Sequence, residues 1–265
     1  MRLEELFPDG DYRHHLTLRR AAPGGFFAPQ DPTGAVLGER IRWLAFEPAR
    51  YAALEPGGEA LLREFTALLP AWGVAGAENT APGGGSIADL GRRLEPDILL
   101  LARDEAGDFR LRGGALCFPT GWALTEKLGQ TLDVIHGVVP GLNAALGPSI
   151  TQMLGGMKPG VAYLRDNWGI AASAELNLHP ARAIPPPQPP VALERLWLRV
   201  EHQALVALPA TRGIAFGIRI ALHRLDAVMQ GTAGPGLRRA LASMSAEMAD
   251  YKRLDKVRAD LVNVV

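Results

Sequence analysis

The sequence predicts an α+β fold, an antiparallel sheet flanked by helices, and three observations carry that reading. Strand-like segments come in pairs joined by short turns, amphipathic helical segments lie between the pairs and at the C-terminus, and no regular strand-helix-strand succession demands parallel crossovers. The 265 residues, 48% of them hydrophobic, suffice to bury one substantial core, so one domain with a helical C-terminal extension, about residues 226–265, is expected.

Residues 1–60 are rich in Gly and Pro and weakly periodic, which predicts loops and short extended pieces with one helical turn around Arg50–Leu54. Leu61, Leu62, Phe65, Leu68 and Leu69 have helical spacing, so Glu59–Leu69 should be a helix that stops before Pro70. The Ala75–Gly85 loop contains Pro82-Gly83-Gly84-Gly85-Ser86, which lacks the Gly-Lys-Ser/Thr ending of a phosphate-binding turn and reads as a linker. Ile98–Leu101 and Phe109–Phe118 flank Asp104-Glu105-Ala106-Gly107-Asp108, a hairpin turn between two strands. Leu124, Leu128, Leu132 and Ile135 then fall on one face of a helix expected to run over Gly121–Ile135. A further helix is expected over Leu142–Met157, interrupted or delayed by Pro148 and closed by Pro159-Gly160. Val161–Ala172 alternates as a strand, with Leu164, Trp168 and Ile170 opposite Tyr163, Arg165 and Asn167. Five prolines between Ile184 and Val191 dictate an extended surface connection. Leu196–Val206 and Gly213–Leu222 should be two more strands joined around Pro209, and Gly236–Val262 is helical by spacing.

Charge and cysteine content exclude several functions. Lys+Arg (28) and Asp+Glu (28) cancel, without a basic patch for nucleic acid or an anionic membrane, so neither is expected as a partner. One cysteine, Cys117, rules out an internal disulfide, a thiolate zinc site and an iron–sulfur cluster held by this chain alone. Its apolar neighbours Leu116 and Phe118 mark it as a buried, inert thiol. The N-terminal residues lack a basic segment followed by an apolar stretch, and no run of about 18 apolar residues occurs, so a soluble, cytoplasmic protein is expected.

Alternation in Leu196–Gln203 sends Leu196, Leu198 and Val200 to one face and Arg199, Glu201 and Gln203 to the other. In the next strand Ile214, Phe216, Ile218 and Ile220 oppose Ala215, Gly217 and Arg219. If the two apolar faces share a core, the polar trio adjoins two very small residues and a second arginine, leaving a hollow for a ligand; the plain alternative is a solvated face with weak surface ion pairs. Six histidines (14, 15, 136, 179, 202 and 223) show no paired metal-ligand spacing. A single-histidine axial site for noncovalent haem leaves no spacing signature. His136, followed by Gly137-Val138-Val139-Pro140, has the apolar setting for that role, or caps its helix. His14 and His15 read as surface residues and His179 as a turn residue.

Four blocks, in order, resemble the haem-dependent oxidative N-demethylase family. They are Phe118-Pro119-Thr120-Gly121-Trp122 with Glu126-Lys127-Leu128-Gly129; Ile135 through Gly141; Arg165-Asp166-Asn167-Trp168-Gly169-Ile170; and Leu198 through Leu205 followed by Leu208-Pro209 and Phe216-Gly217-Ile218-Arg219. The resemblance covers roughly residues 95–225 and implies a PAS-like α+β domain binding haem b noncovalently, with His136 as axial metal ligand. It implies a monooxygenase that uses O2 to remove a methyl group from a small secondary amine such as dimethylamine, releasing formaldehyde. Electrons would come from a separate reductase carrying FMN and a 2Fe–2S cluster. It further implies Glu201, Arg199 and Gln203 as catalytic residues, and Arg165, Asn167, Arg219 and Lys127 beside His136 as cofactor-binding ones. The pattern departs at His202, where an arginine is expected. A PAS-like domain serves sensing equally well, so a haem- or small-ligand sensor without turnover is the alternative.

Overall fold

A computed structural model describes residues 2–74 and 85–263; most of the linker expected over Ala75–Gly85 lies outside them. Seven strands form one antiparallel sheet: β1 (Arg19–Ala21), β2 (Ala52–Leu54), β3 (Asp97–Arg103), β4 (Phe109–Ala115), β5 (Ala162–Ala171), β6 (Trp197–Ala207) and β7 (Ile214–Arg224). Their order across the sheet is β1-β5-β6-β7-β3-β4-β2. With the surrounding helices this is the α+β fold expected.

The β3–β4 turn forms because Gly107 adopts φ +93, while Asp104 Oδ1 accepts from the Asp108 amide at 2.9 Å. The long β6–β7 hairpin pairs Ala207 with Ile214 and Glu201 with Ile220. This register puts odd residues of β6 opposite even residues of β7. The expectation that Arg199, Glu201 and Gln203 share a face with Ala215, Gly217 and Arg219 is therefore corrected: their neighbours are Leu222, Ile220 and Ile218. A one-residue offset in register exchanges the two faces of a strand, and only the turn that joins them fixes that offset.

The even-numbered side of β5 and β6 meets the C-terminal helices, Leu225–Gln230, Gly234–Ser243, Ala246–Tyr251 and Arg258–Asn263. Trp168, Ile170, Leu198 and Val200 share a core there with Leu237, Leu241 and Met248. Farther along this side Ile98, Leu100, Ala204 and Val206 pack with Phe27, Leu61, Phe65 and Leu69, from the helices Pro23–Phe27 and Glu59–Ala71. The opposite side, with Leu99, Leu101, Leu205 and Ile218, is covered by Leu124, Ile150 and Leu154.

Four elements differ from expectation. The helical turn expected around Arg50–Leu54 lies at Pro48–Tyr51, and Ala52–Leu54 is strand β2, paired with Gly113–Ala115 of β4. Ala35–Phe46 is a helix that the weak periodicity of residues 1–60 does not reveal. Its buried face carries a charge: Arg40 is wholly buried, paired with Asp97, while Ile41 and Phe46 face solvent. The helix expected over Gly121–Ile135 is two short ones, Leu124–Lys127 and Leu132–His136. Between them Gly129 takes φ +77 and its amide donates to the Leu111 carbonyl at 2.8 Å, so pairing along β4 interrupts the helical run. Leu142–Gly155 continues through Pro148, its apolar residues Ile150 and Leu154 buried.

Candidate functional site

A cavity of about 510 Å³ opens over the odd-numbered side of β5 and β6, within the usual range for small-molecule and cofactor sites. The sheet supplies its floor: Leu99, Leu101 and Leu111, then Phe216 and Ile218, then Arg199, Glu201 and Gln203, then Asn167 and Gly169. Register makes this set, because Asn167 pairs with Glu201, Gly169 with Arg199 and Arg165 with Gln203. The 120–139 segment forms one wall with Thr120, Lys127, Leu132, Ile135 and His136. The proline connection contributes Ile184, Pro185, Pro186 and Pro187, so it is more than a surface link.

Glu201 accepts three side-chain hydrogen bonds on the floor. Its Oε1 accepts from the Thr120 hydroxyl at 2.6 Å, and its Oε2 accepts from the amides of Gln203 at 2.9 Å and Asn167 at 3.3 Å. Arg199 sits one link behind. Its Nε donates to Thr120 Oγ1 at 3.0 Å and its Nη2 to the carbonyls of Phe118 at 2.9 Å and Leu176 at 2.7 Å. Burial, opposed by the attraction of Glu201, lowers the Arg199 pKa to about 10. Because the guanidinium donates to the hydroxyl oxygen, the Thr120 proton is left for Glu201. Thr120 is the member that sequence reasoning missed as a site residue, although it lies inside the quoted Phe118–Trp122 block.

His136 ends its helix and lines the cavity. Its ring makes no hydrogen bond among the described residues, and burial, reinforced by the Arg165 charge, lowers its pKa below the ordinary imidazole value. The ring is thus held toward its neutral form, the one that can donate a lone pair to a metal. Arg165 lies on the same sheet face, its pKa lowered by burial against the attraction of Glu201.

Other expected residues lie elsewhere. Arg219 is on the far side of the sheet, ion-paired with Glu95 and donating to the carbonyls of Phe26 and Ala28; the hairpin register that exchanges the faces takes it out of the cavity. His202 also faces away, its Nδ1 2.6 Å from Asp166 Oδ1, so the departure from arginine adds no second imidazole to the site. Cys117 follows β4, is fully buried, and has its pKa raised by burial to about 12. His179 caps a short turn, its Nδ1 accepting from Ala181, while His14 Nε2 lies 2.8 Å from the Pro140 carbonyl.

The C-terminal segment adds groups no sequence pattern marked. Tyr251, Lys252 and Arg253 line the cavity. Lys252 Nζ donates to the Trp168 carbonyl at 2.7 Å and lies 4.8 Å from the centre of that indole.

A family model described as haem-dependent oxidative N-demethylase, alpha subunit-like, matches residues 85–262, about two thirds of the chain. The chain belongs to that family. The match takes in all four sequence blocks and continues through the helices that deliver Lys252. For an N-demethylase of this family the name carries haem dependence, and its alpha-subunit description implies a partner subunit. The residues fit a haem: one neutral imidazole, an apolar floor from Leu99, Leu101, Phe216 and Ile218, and the Lys127 cation near His136. No group of three or more metal-binding side chains occurs among the described residues. Nor, among them, is any helix long and apolar enough to cross a membrane.

Proposed function

We propose that this chain is the haem-binding subunit of a monooxygenase that removes a methyl group from a small secondary amine. The observation that carries the reading is the presence, in one cavity, of His136, held toward its neutral form and without a hydrogen bond to its ring among the described residues, and a carboxylate, Glu201, oriented by three donors. One secondary amine, one O2, two electrons and two protons yield the primary amine, formaldehyde and water. His136 would hold haem b without covalent attachment, Lys127 would offer a cation to its carboxylates, and the haem would supply O2 activation when bound.

The protein's own residues do the rest. Glu201 receives the substrate ammonium in a cavity where an unpaired cation would be costly, and accepts the hydroxyl proton of the carbinolamine as its C–N bond breaks and the amine leaves. Thr120, Asn167 and Gln203 keep its oxygens aimed, and Arg199 holds Thr120. Leu99, Leu101, Phe216 and Ile218 keep water from the methyl group. The two electrons come from a separate reductase bearing FMN and a 2Fe–2S cluster, in keeping with the lone, buried Cys117. We further read the chain as one PAS-like haem domain, supported by β1 and β2 serving as the edges of the same sheet.

The test is an absorption spectrum joined to a turnover assay. Haem-supplemented protein should show a sharp Soret band, lost in His136→Ala, and should release formaldehyde from dimethylamine with O2 and a reductant. Protein that takes up no haem would defeat the reading. Haem uptake without formaldehyde from any N-methylamine would leave the sensor alternative standing.

A further inference from the structure

The cavity holds a cation that the proposed reaction does not use. Lys252 reaches it from the turn after Ala246–Tyr251, where Arg253 takes φ +58. This left-handed residue lets Leu254 return to the Ala249 carbonyl at 2.7 Å and ends the helix with Lys252 directed inward. The ammonium meets β5 on the edge left uncovered by β1, which pairs only with Ala162–Leu164. There it finds one acceptor, the Trp168 carbonyl, and two aromatic faces, Trp168 and Tyr12.

A carbonyl and an indole face compensate an ammonium only in part. Burial lowers the Lys252 pKa to about 8 against the attraction of Glu201, as expected of a cation short of negative charge. Glu201 is near enough to act on it, yet the two form no ion pair among the described residues. Glu201 spends its oxygens on Thr120, Asn167 and Gln203 instead. Glu201 acts on Arg165 and Arg199 as well as on Lys252, but Arg199 is committed to Thr120 and to backbone carbonyls, which leaves Lys252 as the lysine at the Glu201 end of the cavity and Lys127 as the one at the His136 end. One cavity therefore presents a carboxylate and an ammonium held apart, the complement of a ligand with a cationic amine at one end and an anion at the other.

We propose that Lys252 binds a substrate carboxylate while Glu201 binds the same molecule's amine, so that the enzyme takes a small N-methyl amino acid in preference to a simple dialkylamine. This rests on the N-demethylase reading for its chemistry but not for its binding geometry. A dialkylammonium satisfies Glu201 alone; a zwitterion satisfies both charges and brings Lys252 the anion it lacks. The charged and titratable groups around the ammonium are Glu201 from β6, Tyr12 from the N-terminal loop, and Tyr251 and Arg253 on either side in sequence. As pH rises through the Lys252 pKa the ammonium is lost, so affinity for the zwitterion should fall there.

The shared chemistry is a carboxylate, which haem also carries, and the experiment separates the two sources. Calorimetry on the full chain, haem-free and haem-loaded, would titrate N-methylglycine and dimethylammonium chloride into wild type, Lys252→Met and Lys252→Arg. Wild type should prefer N-methylglycine at pH 7 by about tenfold or more, the worth of one charged hydrogen bond. Lys252→Met should lose that preference, Lys252→Arg should keep it, and in wild type it should decline above pH 8. An equal affinity for both probes, or a preference that survives Lys252→Met, would overturn the proposal. So would a Lys252→Met protein that loses haem affinity while its preference is unaltered, since the carboxylate would then be the haem's own. The haem-free titration reads Lys252 even if the Soret band is absent, so failure of the N-demethylase reading shows separately.

Discussion

Thr120 converts a buried cation into an oriented acceptor. Its hydroxyl takes the Arg199 Nε proton and gives its own to Glu201, so removing the oxygen frees the carboxylate and leaves a buried donor unmet. Thr120→Val should lower formaldehyde release by about 10- to 100-fold, the worth of a hydrogen bond to a charged group. Its thermal or urea unfolding should show a loss of about 1–3 kcal/mol from the unsatisfied Arg199. Thr120→Ser should restore both. Turnover unchanged in Thr120→Val would mean that Glu201 needs no such orientation. The same residue shows how much of the site the sequence disclosed: alternation placed Arg199, Glu201 and Gln203 on one line, and the structure keeps them there. Thr120 joins them through a bridge to Leu178, a long-range pairing that no local period records.

Among the elements, the break at Gly129 decides where His136 lies. A continuous helix over Gly121–Ile135 would rise 1.5 Å per residue away from its start, whereas the turn at Gly129 returns the chain to β4 and begins a new helix capped by Thr131. Gly129→Ala keeps a side chain in a left-handed conformation, and its Cβ would meet Glu55 Oε1 at 2.6 Å. The carboxylate can swing aside, so the backbone conformation sets the cost, about 1–2 kcal/mol. Urea unfolding should show that loss, with weaker haem retention accompanying it. Stability equal to wild type would show that the break is not held by this conformation. The sequence announced the glycine but not its use, since Leu124, Leu128, Leu132 and Ile135 keep helical spacing on both sides of it. The helix Ala35–Phe46 escaped for a different reason: Arg40, paired with Asp97, occupies the buried place that an apolar residue would have marked.

Across the described residues, four imidazoles resist protonation. His15, His136, His179 and His223 all have pKa values lowered from 6.5, chiefly by burial. In the unfolded chain they take up protons as pH falls through 6.5, while in the folded one they do so only at lower pH, so the unfolded state binds more protons in this window. The haem-free protein should therefore hold a level melting temperature just above pH 6.5 and lose stability below it, before the carboxylates titrate near pH 4. A melting temperature that stays flat between pH 6.5 and 5 would contradict the burial of these rings.

The sequence by itself determined the five longer strands β3 to β7, their alternation, the pairing of β3 with β4 and of β6 with β7, and the four blocks that mark the family, because turn chemistry and period-two patterning act over a few residues. Only the tertiary structure decided which faces coincide. The odd offset of the β6–β7 hairpin moves Arg219 to the far side and seats Phe216 and Ile218 beside Glu201. The fold also brings Lys252, fifty-one residues beyond Glu201 in the chain, to the same cavity. Local pattern fixes how a strand divides its side chains between two faces; which face meets which, and which distant cation closes the site, depend on pairings that form only when the whole sheet and its covering helices assemble.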